Sequence, residues 1–282
     1  MNSIEAIIEA CNQLPPFPAV INRALTLVSN PNASLQEIVE TIQYDQAITA
    51  NVLKVCNSAY FGLRQPVGSL REAVLLMGFN QLLEILLSGV AGSMMGKAVS
   101  GYDLEAGELW KHSVSSALLS QMIIKRINRK EDPLLFTAAL IHDIGKVIMN
   151  SYVADQSQLI KEQVKIKGIS FLEAEKEVLG IDHAELSALI IEQWNFPIEI
   201  VQAIRFHHTP LMATSDLEYV YLIYLSDLIA ILTGIGVGVD GLSYSGFKEI
   251  VVHYGLNEKD IERFISQLGD QIKRVEVMFQ VQ

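Results

Sequence analysis

The chain has 282 residues, 50% of them hydrophobic, and carries a formal net charge of -11 at pH 7 with a pI near 5.0. This length and composition are enough to bury a sizeable core in one large unit or in two closely packed ones. Because the sequence contains no run of Lys or Arg, it offers no broad basic surface for nucleic acid or an anionic membrane, and we expect neither as a direct partner.

The cysteines and the N-terminal stretch indicate a cytoplasmic protein. Cys11 and Cys56 are too few for a disulfide framework or a cysteine-based zinc site, and we predict that both are buried thiols in a reducing compartment. The opening MNSIEAIIEACNQLPPF lacks the basic start and unbroken apolar stretch of a secretory signal. The apolar segment from Leu217 carries Asp227 at its centre and has no basic flanks, which favours a buried helix over a membrane span.

Helix signals recur along the chain, whereas the two-residue alternation of strands is scarce. A serine or aspartate followed three residues later by glutamate marks a helix N-terminus, and the first helical turn tolerates proline. We therefore predict an all-α fold. The start signals are Ser34 with Glu37, Asp132 with Pro133, Ser170 with Glu173, Asp182 with Glu185, Phe196 with Pro197, and Ser215 with Glu218.

Three regions are predicted in chain order. A small, glycine-containing stretch from Met95 to Asp103 separates an N-terminal helical lobe, residues 14–98, from a histidine-bearing lobe, residues 104–233; one continuous core is the alternative. Residues 234–282 hold a glycine-rich loop and further helices, and their tail VEVMFQVQ is predicted to be a strand or disordered. GVGVDG, at 236–241, is predicted to be a loop and not a dinucleotide site, because no strand precedes it.

An ionisable pair lies inside an otherwise apolar run. AALIHDIGKVIMN, residues 138–150, places His142 beside Asp143 among residues typical of a protein core. Burying a lone carboxylate is costly unless hydrogen bonds, an opposite charge or a metal compensate it, so the pair needs partners elsewhere in the chain. His253 lies apart and is predicted to be structural or exposed. The candidate partners, each near a helix that could line one bundle interior, are His112, His183, His207, His208 and Asp227.

Together these side chains match the protein ligands of a two-metal site. Five imidazoles and two carboxylates suit two divalent transition-metal ions, with iron or manganese ahead of nickel or zinc, better than they suit calcium. The ligands would come from several helices, so no local spacing is expected and spacing alone does not decide. The alternative is a buried polar network in which the histidines and aspartates satisfy each other without metal.

The ordered motifs also carry a family resemblance. His112, the HDIGK stretch and the distant Asp227 resemble the HD superfamily of metal-dependent phosphohydrolases, and DHAELSALI with FHH resembles its two-metal HD-GYP branch. LPPFPAV, SLQEIVETIQYDQAITANVLKVCNSAYFG, SLREAVLLMGFNQL and GIDHAELSALIIEQWNFP together are similar to the HDOD family, a bacterial signalling relative of HD domains. This similarity runs from about residue 14 to about residue 210.

The resemblance implies an HD-like helical bundle and a role for each site residue. Asp143 would bridge two metals, and Lys146 would face phosphate, so these two are the catalytic candidates. The stretch TPLMATS that follows the paired histidines departs from the GYP signature, which argues against cyclic di-GMP hydrolysis in particular. The implied ligands are His112, His142, Asp143 and Asp227 for the first metal, and Asp143, His183 and either His207 or His208 for the second.

Two functions follow from this resemblance. HDOD proteins are regulatory or output modules of bacterial signalling, and this chain retains the His-Asp dyad. The first expectation is therefore a signal-transduction protein whose metal-bearing cavity binds a phosphorylated small molecule or nucleotide and whose N-terminal lobe engages a signalling protein. The alternative is an active metal-dependent phosphohydrolase or phosphodiesterase that acts on a nucleotide or cyclic nucleotide.

Overall fold

The computed structural model describes residues 3–14, 17–28, 34–43, 45–58, 60–63, 65–239 and 246–279. Within these residues the regular structure is helical, apart from one isolated bridge between Val99 and Leu104, and the all-α prediction is confirmed. Short 3-10 turns span Ser100–Tyr102 and Pro210–Met212. The α-helices are α1 (Ser3–Asn12), α2 (Ala19–Val28), α3 (Leu35–Ile42), α4 (Gln46–Cys56), α5 (Leu70–Met77), α6 (Phe79–Met95), α7 (Glu108–Arg126), α8 (Pro133–Ile141), α9 (Gly145–Asp155), α10 (Ser157–Lys167), α11 (Phe171–Leu179), α12 (His183–Gln193), α13 (Ile198–Arg205), α14 (Leu217–Leu232), α15 (Phe247–His253) and α16 (Glu258–Phe279).

Local capping signals set most of the predicted helix starts. Ser34 and Ser170 each close a capping box with the glutamate three residues later, so two backbone N–H groups are satisfied at the start of α3 and of α11. Asp132 and Asp182 accept backbone hydrogen bonds as the N-caps of α8 and α12. α13 begins directly after Pro197.

The predicted capping box at the start of α14 is wrong. The N-cap is Asp216, in the left-handed region at φ 55°, and no side chain caps the helix. The Ser215 hydroxyl donates to the Asp216 carboxylate at 2.8 Å. Glu218 pairs with Arg129 instead of reaching back to the backbone. Glu218 therefore forms an ion pair with Arg129, which is distant in sequence, and does not form the predicted capping box.

The prediction of a strand or disordered segment for the C-terminal tail is also wrong. α16 continues to Phe279, and residues 280–282 lie outside the described part of the chain. Ile272 is buried, and Glu276 forms a salt bridge of 2.7 Å with Lys111 on α7. Packing against α7 continues the helix through a stretch whose valines favour a strand locally.

One buried hydrophobic cluster extends from Ile7 to Ile272. α7, α8 and α14 pack against one another within it, and the middle of α14 is buried on every side. Asp227 is therefore held inside the core by its helix. The division into lobes at about residue 100 stays a prediction.

Two further predictions concern the apolar segments and the glycine-rich loop. Among the described helices, none is by itself long and apolar enough to cross a membrane; α5 and α6 meet that test only as a pair, bent by 113°. Residues 233–239 form an irregular loop, as predicted, and residues 240 and 241 of GVGVDG lie outside the described part.

Candidate metal centre

The predicted site residues converge on one buried interior. Each of them is at most 9% exposed, although they are spread over more than 100 positions of the sequence. His253 does not join them and is exposed. The residues that converge are His112 on α7, His142 and Asp143 in the turn between α8 and α9, Lys146 on α9, His183 at the start of α12, His207 and His208 after α13, and Asp227 on α14.

Two groups of donor atoms are each compact enough to hold an ion. In each group the donor atoms lie within 4.8 Å of one another. We call them the first cluster, formed by His112, His142 and Asp227, and the second cluster, formed by Asp143, His183, His207 and His208.

The Asp143 carboxylate lies between the two clusters. Its Oδ2 is 3.5 Å from His142 Nε2 and 3.8 Å from His112 Nε2 on the side of the first cluster. Its Oδ1 is 3.6 Å from both His183 Nε2 and His207 Nε2 on the other side. One carboxylate thus presents an oxygen to each cluster, which is the arrangement that a bridging ligand requires.

Two histidines are held in the tautomer that a metal ligand needs. His142 Nδ1 lies 2.7 Å from the Ala139 carbonyl and His207 Nδ1 lies 2.6 Å from the Ile204 carbonyl. A carbonyl oxygen only accepts hydrogen bonds, so each Nδ1 carries a hydrogen and donates a hydrogen bond. The neutral ring then keeps a lone pair on Nε2. Both Nε2 atoms are buried, and neither has a hydrogen-bond partner among the described residues.

These unpartnered nitrogens provide a test of whether a metal fits the site. A buried acceptor without a donor costs about 1–3 kcal/mol. A divalent cation placed between the Nε2 atoms and the carboxylates would satisfy both, and imidazole with carboxylate is a ligand set that divalent transition metals accept. The donor set therefore fits divalent metal binding.

The charges of the centre keep both carboxylates ionised. Burial opposes ionisation of Asp143, but the neighbouring charges, led by Lys146 with Nζ 2.7 Å from Oδ2, outweigh it and hold the pKa of Asp143 well below its ordinary value. Burial likewise opposes ionisation of Asp227, and the hydrogen bond of 2.9 Å from His112 holds its pKa well below the ordinary value. Both groups are thus available as anionic ligands at neutral pH.

His208 is suited to act as a neutral ligand. Burial, together with its imidazole neighbours His207 and His183, holds the pKa of His208 well below the ordinary value. Its Nε2 lies 2.8 Å from His183 Nε2. At this distance one ring donates a hydrogen bond to the other, and both nitrogens belong to the second cluster.

Sequence reasoning missed Glu175, a fully buried carboxylate on α11 that holds His183. Burial opposes protonation of His183, but Glu175, with Oε2 2.7 Å from His183 Nδ1, outweighs it and raises the pKa of His183 to about 9. A sequence signal for Glu175 exists, since it lies on the buried face of α11 that also carries Phe171, Ala174 and Leu179. A charged residue on an apolar face needs a partner, and this one is eight positions away.

A glycine lets two site-bearing helices approach closely. Gly145 begins α9, and its N–H donates to Ser187 Oγ on α12 at 2.9 Å. A Cβ at this position would lie 2.4 Å from the His183 carbonyl oxygen. Only a residue without a side chain therefore lets the turn that carries Asp143 pack against the start of α12.

Solved structures share this fold. The chain is similar to a candidate phosphohydrolase from Shewanella amazonensis SB2B, with 23% identity, a TM-score of 0.69, and coverage of 98% of each chain. It is also similar to a candidate signal transduction protein from Marinobacter aquaeolei VT8, with 21% identity, a TM-score of 0.75, and coverage of 99% of this chain and 60% of the other.

Sequence comparison identifies the family. A protein of unassigned function from Treponema pallidum (strain Nichols) is 25% identical over 206 residues, 72% of this chain, and the chain spans 39% of that protein's length. The model of the HDOD domain family matches residues 14–210. That match covers most of the chain and includes the HD dyad and both paired histidines, and the chain therefore belongs to the HDOD domain family.

Proposed function

We propose that this chain is a bacterial signal-transduction protein whose two clusters hold two divalent transition-metal ions, iron or manganese, and respond to a phosphorylated small molecule or nucleotide. One observation supports the proposal: the seven predicted donors fall into two compact groups, and every donor is buried to at least nine-tenths. A set that includes nitrogens without hydrogen-bond partners suits ions.

Two segments pack against residues of the centre, and in this proposal they cover it. Tyr102, in the 3-10 turn Ser100–Tyr102, packs its ring edge-on against the His183 ring. The centroid of the Tyr102 ring lies 5.6 Å from Lys146 Nζ. Gly236, in the loop after α14, lies against His112, since a Cβ there would be 2.8 Å from the His112 Cβ. The Val239 N–H donates to the Tyr102 carbonyl at 3.1 Å and ties the two segments together.

This cover gives a physical route from ligand binding to signalling. A phosphorylated ligand that reaches the centre has to displace one or both covering segments, so its binding favours a rearranged surface. Lys146, a buried cation beside Asp143, would contact its phosphate at the cost of the ion pair with Asp143. A signalling protein partner would bind the rearranged surface, and we assign this binding surface to the N-terminal lobe, residues 14–98.

A metal-dependent phosphohydrolase is the second candidate, and the position of Asp143 favours it. Bound ions would lower the pKa of a water molecule and neutralise phosphate charge. Asp143 faces both clusters, and Lys146 supplies a further positive charge beside it. Phosphate charge that develops during hydrolysis would be stabilised there by a group already in place.

Elemental analysis and a ligand screen test the proposal. The full chain is purified without a chelator or a nickel column, and its metal content is measured. Thermal stability and hydrolysis are then followed with a panel of nucleotides and a generic phosphodiester reporter. Asp143→Asn removes the bridging charge, and Asp155→Asn, which changes an exposed acid at the end of the helix α9 that follows the Asp143 turn, is the matched control.

The outcomes separate the candidates. About two iron or manganese ions per chain, stabilisation by a phosphorylated ligand and no turnover support the sensor. Turnover that Asp143→Asn abolishes and Asp155→Asn preserves supports the hydrolase. Protein that contains no metal and responds to no ligand contradicts both and leaves a buried hydrogen-bond network.

A further inference from the structure

Glu175 connects the second cluster to the surrounding core through buried hydrogen bonds. Its Oε2 accepts from His183 Nδ1 at 2.7 Å and from the His183 backbone N–H at 3.2 Å. Its Oε1 accepts a short hydrogen bond from the Tyr102 hydroxyl. All three residues are 0% exposed. Both carboxylate oxygens are thus engaged, and the His183 ring is held from its outer side.

The held ring presents its other nitrogen to the second cluster. His183 Nε2 lies 2.8 Å from His208 Nε2 and 3.6 Å from Asp143 Oδ1. A carboxylate can only accept from Nδ1, so Nδ1 keeps its proton, and Nε2 is the nitrogen that would bind an ion after releasing any proton it carries. A negative partner on Nδ1 also makes the imidazole a stronger ligand.

Two other histidines of the clusters, His142 and His207, have a different kind of support. Backbone carbonyls of Ala139 and Ile204 hold His142 and His207, each within its own turn of chain. A carbonyl cannot be removed by substitution and carries no full charge. His183 is held by a carboxylate side chain from a separate helix, so its support can be changed without touching the ligand itself.

We propose that Glu175 is a positioning residue that fixes the Nδ1-protonated orientation of His183 and thereby sets the affinity of the second cluster for its ion, independently of the first cluster. This inference rests on the proposed function in taking the second cluster as a metal site. Tyr102 is the secondary support. Its 3-10 turn is anchored on α9, where the Gly101 N–H donates to Asn150 Oδ1 at 2.8 Å.

Calorimetric titration of chelator-stripped full chain with Mn²⁺ tests the affinity. Wild type is expected to show two binding steps, and the step lost in His208→Ala identifies the second cluster. Glu175→Leu should weaken that step by about 10–100-fold and leave the other step within about twofold, which also shows that the variant is folded. Glu175→Gln keeps a neutral acceptor and should recover part of the loss, and Tyr102→Phe should show a smaller loss. Glu177→Gln, an exposed acid on α11 paired with Lys167, should match wild type.

Contrary results are equally specific. If Glu175→Leu weakened Mn²⁺ affinity equally in both steps, Glu175 would have a general structural role and the inference would be overturned. Unchanged Mn²⁺ affinity in the second step would also overturn it. So would a Glu175→Gln protein that binds Mn²⁺ no more tightly in that step than the Glu175→Leu protein.

Nitrogen-15 NMR of histidine-labelled, metal-free protein separates this inference from the proposed function. Wild type must show a proton on His183 Nδ1 that Glu175→Leu shifts or loses. If wild type binds no Mn²⁺, the proposed function fails, while the NMR result still decides how Glu175 holds the ring. A wild-type ring protonated only on Nε2 overturns the inference whatever the metal content.

Discussion

Gly145→Ala is expected to destabilise the protein by forcing α9 away from α12. The added Cβ would lie 2.4 Å from the His183 carbonyl oxygen and 2.9 Å from both the Ser187 nitrogen and the Ser187 Oγ. Two of these three atoms belong to the backbone, so no side-chain rotation relieves the contact. Overpacking of a core costs about 1–3 kcal/mol and occasionally more, whereas alanine in a helix gains about 0.5–1 kcal/mol over glycine. We expect a net loss of about 1 kcal/mol in the free energy of unfolding.

Urea unfolding followed by circular dichroism measures this difference, and Gly269→Ala is the matched control. Gly269 lies within α16, is exposed, and has nothing within 4 Å of the position that a Cβ would take. Only helix propensity acts there, so the control should gain about 0.5–1 kcal/mol. A Gly145→Ala protein at least as stable as wild type, measured beside a stabilised Gly269→Ala protein, would refute the close-approach argument.

Three further substitutions test other parts of the structure. Burial, and secondly Glu131, raise the pKa of Glu84 to about 7, so ionising this carboxyl destabilises the folded state progressively as pH rises from about 4.3 to 7. Glu84→Gln should therefore add about 1–2 kcal/mol to the free energy of unfolding at pH 8, after allowance for solvent screening, and nothing at pH 4. An equal gain at both pH values would contradict this assignment. Ser170→Ala removes a capping box and should cost about 1 kcal/mol in urea unfolding; a loss below about 0.3 kcal/mol would show that the cap is dispensable. Gly236→Ala would put an alanine at φ +59° and its Cβ 2.8 Å from the His112 Cβ, so the midpoint of thermal unfolding should fall. An unchanged midpoint would mean that the loop does not contact α7 closely.

The local features of this fold were predictable because they depend on a few adjacent residues. The capping boxes at Ser34 and Ser170 need only a hydroxyl and a glutamate three residues apart, and nothing distant competes with them. The pattern at Ser215 failed because Glu218 has a competing partner, Arg129, 89 positions away. Sequence pattern alone does not reveal which long-range pair forms.

The candidate site was predictable only in part for the same reason. Asp227 could be predicted as a site residue because it is a charged residue within an apolar helix. Its hydrogen bond with His112 depends on packing between α7 and α14, which the sequence pattern does not reveal. The grouping of the site residues came from family resemblance and not from spacing. Glu175 was not predicted because EAEKEVL contains three glutamates, although its helical spacing from Phe171 and Leu179 places it on the apolar face.

The burial of the donors has a consequence for the rate at which ions are exchanged. Since every donor is at most 9% exposed, a chelator in solution has no direct access to a bound ion and has to wait for a transient opening of the covering turn and loop. Extraction would then proceed at the opening rate and stop depending on chelator concentration once that concentration is high. Brief dialysis against EDTA would leave such a centre loaded, whereas mild denaturant would release the ions quickly.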